Sequence, residues 1–157
     1  MSKITKLSLA WDGLVANLSR AIESWNPPSF HKETEYRDSL AAHLKECAPD
    51  ARIEIEYRHL GTTTDIYFKV DGMFGTHRAF IELKRNLTQK SELDRLIGQT
   101  EHLKPRKNNV IIIILCGDTA PALLDRLKEQ YKPHLGWNIR IIEKPNSERA
   151  SSCDSAS

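Results

Sequence analysis

The stretch Thr62-Thr63-Thr64-Asp65-Ile66-Tyr67-Phe68-Lys69-Val70-Asp71-Gly72, followed by Arg78-Ala79-Phe80-Ile81-Glu82-Leu83-Lys84, decides the fold. Thr62 to Val70 is dense in β-branched and aromatic residues and reads as a strand. Asp71-Gly72 is a strong hairpin signal, and Arg78 to Leu83 reads as the partner strand. Just upstream, Arg52-Ile53-Glu54-Ile55-Glu56-Tyr57 alternates with period two, as a half-buried strand does, and Leu60-Gly61 supplies the turn between. Three strands in a meander follow from these segments.

Helices flank the meander. Leu7, Trp11, Leu14, Leu18, Ile22 and Trp25 recur at helical spacing, and Asn26-Pro27-Pro28 ends that run. A second helix is expected to start near Ser29 to Lys32, with Tyr36, Leu40, Leu44 and Cys47 as its stripe. After the meander, Ser91 reads as the cap of a helix whose stripe is Leu93, Leu96, Ile97, Thr100 and Leu103. Val110 to Cys116 is a continuous apolar run, which suits a central strand covered on both faces. Ala120 to Tyr131 reads as a helix and Trp137 to Ile142 as the last strand. The expected fold is therefore α/β, a mixed central β-sheet flanked by helices. Residues 1–28 form an N-terminal helical extension, 29–143 the core domain, and 144–157 a tail with little to bury, expected to be disordered.

Composition narrows the function classes. The 157 residues are the length of one domain, and a net charge of +2 selects no partner by itself. The three cysteines, Cys47, Cys116 and Cys153, are far apart and form no CxxC pair. A disulfide framework and a zinc site are not expected, and a reducing cytoplasm fits. The N-terminus reads as no signal peptide, and the longest apolar run is too short to cross a bilayer, so no membrane is expected. Gly117-Asp118 follows a buried strand without a glycine-rich phosphate loop, which argues against nucleotide hydrolysis.

The chemistry lies where the meander ends. Glu82 and Lys84 are two apart, so their side chains leave one face of the strand, and Leu83 leaves the other. Asp65, across the hairpin, can reach the same face. Converging carboxylates repel unless something neutralises them, and a hard divalent cation does so. Magnesium takes one or two carboxylates plus water and phosphate oxygens. A lysine beside it can orient a water, and the pair can act on a phosphodiester. Apolar runs lead into the acids (Ala79-Phe80-Ile81 before Glu82) or follow them (Ile66-Tyr67-Phe68 after Asp65), which raises a working site to equal weight with a plain solvated ion pair. Lys84, Arg85, Lys90, Arg95, Lys104, Arg106 and Lys107 crowd the following segment against Glu92, Asp94 and Glu101, a rim that suits a phosphate backbone.

Thr64-Asp65-Ile66, Ala79 to Leu87 with its Glu82-Leu83-Lys84, and Arg95 to Gln99 resemble the PD-(D/E)XK, or restriction-endonuclease-like, nucleases over roughly residues 30 to 143. The resemblance implies an αβββαβ core with the first helix added. It implies metal ligation by Asp65, Glu82 and the Leu83 carbonyl, and a catalytic role for Lys84. It also implies a role near the site for Gln99, as in members with a glutamine on the following helix. Thr64 stands where the family pattern has proline, which many members lack. Many members add a glutamate from the helix before the strands, and Glu33 and Glu35 are the candidates. At 100° per residue Glu33 falls within the apolar stripe and Glu35 on its flank, which favours Glu33 without removing Glu35. The implied activity is magnesium-dependent hydrolysis of DNA, with manganese able to substitute and a homodimer as a possible working form. The rival reading is a DNA-binding or assembly subunit on the same fold that does not turn over; a weaker one makes the acids and lysine plain surface ion pairs.

Overall fold

The computed structural model describes residues 13–59, 61–72, 75–103 and 109–146. Its elements run α1 (Gly13–Ser24), α2 (Glu33–Cys47), β1 (Arg52–His59), β2 (Thr62–Gly72), β3 (Gly75–Arg85), α3 (Lys90–Leu103), β4 (Asn109–Cys116), α4 (Pro121–Gln130) and β5 (Ile139–Lys144). The five strands form one sheet in the order β1-β2-β3-β4-β5. β1, β2 and β3 pair antiparallel, as a meander must. β3, β4 and β5 pair parallel, joined by α3 and α4. Both crossovers step the same way along the sheet, so right-handed connections put both helices on one face. β3 is the strand where the two halves of this mixed sheet meet.

Each face of the sheet carries its own core. On one, Leu14, Leu18, Ile22 and Trp25 of the first helical segment and Tyr36, Leu40 and Leu44 of α2 pack on Ile66, Phe68, Ile81, Leu83, Ile112 and Ile114. On the other, Leu93, Leu96, Leu103, Leu123 and Leu127 cover Tyr67, Phe80, Ile111, Ile113 and Leu115. The alternation within β4 explains why its run is apolar throughout: successive residues serve opposite cores. The helix expected as an extension thus walls the same core as α2. Burying Leu18 and Ile22 completely stabilises the fold by roughly 1.5–3 kcal/mol each. Leu7 and Trp11 of that stripe lie outside the described residues. No described helix is long and apolar enough to cross a membrane.

Several boundaries move. Asp71 pairs with Thr76 and Gly72 with Gly75, so the expected turn residues are inside the ladder. Gly75, at φ 128°, takes the backbone conformation that L side chains rarely adopt, so the glycine after the turn does the work assigned to the one before it. β3 continues two residues past Leu83, to Arg85. α2 begins at Glu33, later than Ser29 to Lys32. Ser91 does not cap α3: the helix starts at Lys90, and the amides of Glu92 and Leu93 donate to the Gln89 carbonyl. The last strand is Ile139–Lys144 instead of 137–142, because Trp137 sits in a turn and is 70% exposed. Lys144 belongs to that strand rather than to a tail, and its Nζ donates to the carbonyls of Glu23 and Trp25, tying β5 to the end of α1. Residues 147–157 lie outside the described part.

Candidate active site

The site forms where β2 leaves β3. Their ladder ends at the pair Ile66↔Ile81, so the next residues, Asp65 and Glu82, stand at the opening. β3 itself continues, held on its other edge by β4 as far as Arg85↔Cys116. Leu83 and Arg85 are two apart, so their N–H groups leave the same edge of β3, the one β2 has vacated. Buried amides need acceptors. Leu83 N–H donates to Asp65 Oδ2 at 2.8 Å, and Arg85 N–H donates to Glu33 Oε2 at 3.1 Å. Two carboxylates thereby take the places of strand carbonyls, one from β2 and one from the first turn of α2. Arg85 Nε donates to the Phe30 carbonyl, which fixes the chain leading into α2.

Glu82 immediately precedes the first of those amides in β3 and is only 2% exposed. Its Oε1 accepts a 2.7 Å hydrogen bond from Thr64 Oγ1. Lys84 Nζ stands 3.9 Å from Glu33 Oε1, with its side chain 16% exposed. Asp65, Glu82, Lys84 and Glu33 are thus gathered from β2, β3 and α2.

The electrostatics match that crowding. Burial, and then the neighbouring Asp65 carboxylate, push Glu82 up to about 8. Burial also raises Asp65, opposed by the Leu83 N–H, by a hydrogen bond with Glu82 and by the positive charges of Lys84 and Arg37. Glu33 is raised by burial, with Lys84 and the Arg85 N–H acting against it. Without a cation, the two neighbouring carboxylates resist ionising together, and Glu82, the buried one, holds its proton the more tightly.

Leu83 turns its side chain into the core beneath α1 and α2, while by strand geometry its carbonyl leaves β3 on the Asp65 side with its N–H. Glu35 is exposed and is not brought to the acids, because only Glu33, on the inner side of the first turn, reaches β3. Gln99 lies on α3 with its amide oxygen buried and without a hydrogen-bond partner among the described residues, and no bond joins it to the carboxylates. Lys104, Arg106 and Lys107 of the expected basic rim lie outside the described residues. In the sequence Thr64 marks only the place of the pattern's proline; in the fold its hydroxyl fixes Glu82. No sequence signal marks the two β3 amides as ligands of carboxylates, since that role exists only because β2 diverges.

Among the described residues, no group of three or more His, Cys, Asp or Glu side chains is arranged to hold a metal ion. Magnesium asks for less: one or two carboxylates, with water and phosphate oxygens completing its shell. Asp65 and Glu82 meet that requirement, and their mutual repulsion is what a divalent cation relieves. The donor set fits a magnesium ion held by two acids, with the Leu83 carbonyl on the same edge.

No family model and no curated protein matches the chain. Among solved structures it is similar to a repair endonuclease from Pyrococcus abyssi, at 13% identity and a TM-score of 0.41, over 92% of this chain and 49% of that one. The chain spans about half the length of that protein, and a likeness this distant carries no argument about the site.

Proposed function

We propose that this chain is a magnesium-dependent nuclease of the restriction-endonuclease-like type, hydrolysing phosphodiester bonds of DNA. The observation that carries the reading is the Asp65–Glu82 pair at the opening of β3, Glu82 buried and Asp65 half-buried, with Lys84 beside it. Magnesium, or manganese in its place, would be held by Asp65, Glu82 and the Leu83 carbonyl, and would supply charge neutralisation and polarisation of a phosphate oxygen. The chain's own residues do the rest. The Leu83 N–H fixes one Asp65 oxygen, and the Thr64 hydroxyl fixes one Glu82 oxygen, leaving the other of each to a ligand. Lys84 presents its ammonium to the attacking water. Glu33, steadied by the Arg85 N–H, keeps that ammonium in place. Gln99 of α3, whose buried amide oxygen has no partner among the described residues, would add a further polar group near the site. A single domain this small makes one cut, so a homodimer is the proposed form for double-strand scission. The buried free thiols of Cys47 and Cys116 fit a reducing cytoplasm.

The test is to incubate the protein with supercoiled plasmid, linear duplex and single-stranded DNA, with magnesium, manganese or chelator, beside Glu82→Ala. Cutting that needs the metal and is missing in the variant supports the nuclease. DNA binding with no cutting under any metal would favour the non-catalytic subunit instead.

A further inference from the structure

α2 presents more than Glu33 to the opening of β3. Arg37 follows one helical turn later, on the same side of the helix. Its side chain is 14% exposed, a costly place for a guanidinium unless it is well paired. The partners it has are poor ones. Nη1 meets Glu56 Oε1 at 2.8 Å and Nε meets Asp38 Oδ1 at 3.0 Å, yet those carboxylates are 66% and 60% exposed. Ion pairs to acids so open to water stabilise little and are screened by salt.

The position of Glu56 adds a second observation. The β1–β2 register pairs Ile55 with Ile66 and Tyr57 with Thr64, so Glu56 stands opposite Asp65. It does so at φ 54°, in the left-handed region that a glutamate rarely takes. Strained backbone of this kind concentrates at working sites. The Arg37 charge is also one of those felt by Asp65. A half-buried fork of donors therefore stands within electrostatic reach of Asp65, occupied by exchangeable carboxylates.

We propose that Arg37 is a phosphate-binding arm of this site: its guanidinium takes a backbone phosphate of the DNA and releases Glu56 and Asp38. The proposal rests on the nuclease reading and names a contact that reading lacks. A guanidinium suits the task because its planar fork matches two phosphate oxygens, which an ammonium cannot do. The two acids hold the fork in shape while no DNA is present, and an anion with more charge displaces them. Glu56 then acts as a placeholder whose removal favours the bound form.

The experiment measures binding of a fluorescent DNA duplex at several salt concentrations, with calcium replacing magnesium to slow turnover. It compares the unaltered protein with Arg37→Ala, Arg37→Lys and Glu56→Gln, with melting temperatures in parallel. Arg37→Ala is expected to weaken binding by about tenfold or more and to reduce the salt slope by about one, as expected for a lost phosphate contact. Arg37→Lys should keep the slope but not the full affinity, and Glu56→Gln should bind as tightly or more tightly. A merely structural Arg37 would lower the melting temperature and leave the slope unchanged. Unchanged affinity and slope in Arg37→Ala, unchanged affinity in Arg37→Lys, or weaker binding by Glu56→Gln would each overturn the proposal. Should Arg37→Ala fail to fold, the other two variants decide. If the unaltered protein neither binds nor cuts DNA, the nuclease reading itself falls; if it cuts and the Arg37 variants match it, only the role of Arg37 falls.

Discussion

The two halves of β3 have the same backbone and opposite uses. From Gly75 to Ile81 the strand is laddered on β2, and its later residues are also laddered on β4, with Ala79, Phe80 and Ile81 fully buried between two cores. From Glu82 to Arg85 it keeps only β4, and its other edge is served by carboxylates from Asp65 and Glu33. The first half is satisfied by hydrocarbon and strand hydrogen bonds. The second is satisfied by acids that repel each other. A sheet that ended its ladder uniformly would gain more stability; losing β2 early leaves amides and acids together where a cation and a phosphate can be received.

That contrast can be broken in several ways. The largest effect belongs to Glu82. Glu82→Gln keeps the shape and the Thr64 contact but removes the charge, and DNA cleavage is expected to fall to background while the fold persists by circular dichroism. Lys84→Ala should follow, with kcat lower by about two orders of magnitude, as expected for a group that positions the attacking water; single-turnover cleavage measures it. In the closed half the balance reverses. Phe80→Ala should cost about 3–5 kcal/mol of stability in urea unfolding. Metal-dependent stabilisation should survive in that variant wherever it remains folded.

The smaller effects sharpen the comparison. Glu82 binds its proton more tightly folded than unfolded, because its value is raised from 4.5 to about 8. Its contribution favours folding fully below the ordinary carboxylate value and is lost as pH rises toward 8. Without divalent cation, stability is therefore expected to fall between about pH 5 and pH 8, by on the order of a few kcal/mol. Glu82→Gln should flatten that profile in denaturant titrations at each pH. Last, Glu33→Gln should lower cleavage, while Glu35→Gln, an exposed neighbour two positions away, should leave it unchanged; parallel rate measurements distinguish them.

Much of the layout was legible in the sequence because it depends on local periodicity. The apolar run Val110 to Cys116 announces a strand covered twice, and the two-residue spacing of Glu82 and Lys84 places them on one face whatever surrounds them. The choice between Glu33 and Glu35 was half legible: the helical phase favoured Glu33, but the bond to the Arg85 amide needed the tertiary placement of α2. Asp71-Gly72 misled because a turn signal is only a preference, and Gly75 stood three residues on with the more demanding backbone. Thr64 and Arg37 were not legible. The Thr64 hydroxyl matters because the β2–β3 ladder stops at Ile66, and Arg37 because the fold brings Glu56 of β1 to it, and neither leaves a pattern in neighbouring residues. Gln99 was marked only by a residue pattern, and its buried amide oxygen has no hydrogen-bond partner among the described residues.

The central claim is that the open end of β3 is a two-carboxylate cation site, and scanning calorimetry at about pH 8 with increasing manganese tests it most directly. The melting temperature of the unaltered protein should climb with metal concentration, as for any ligand that binds only the folded state, and should barely respond in Glu82→Gln. A melting temperature indifferent to manganese in the unaltered protein, or an equal rise in Glu82→Gln, would contradict the claim.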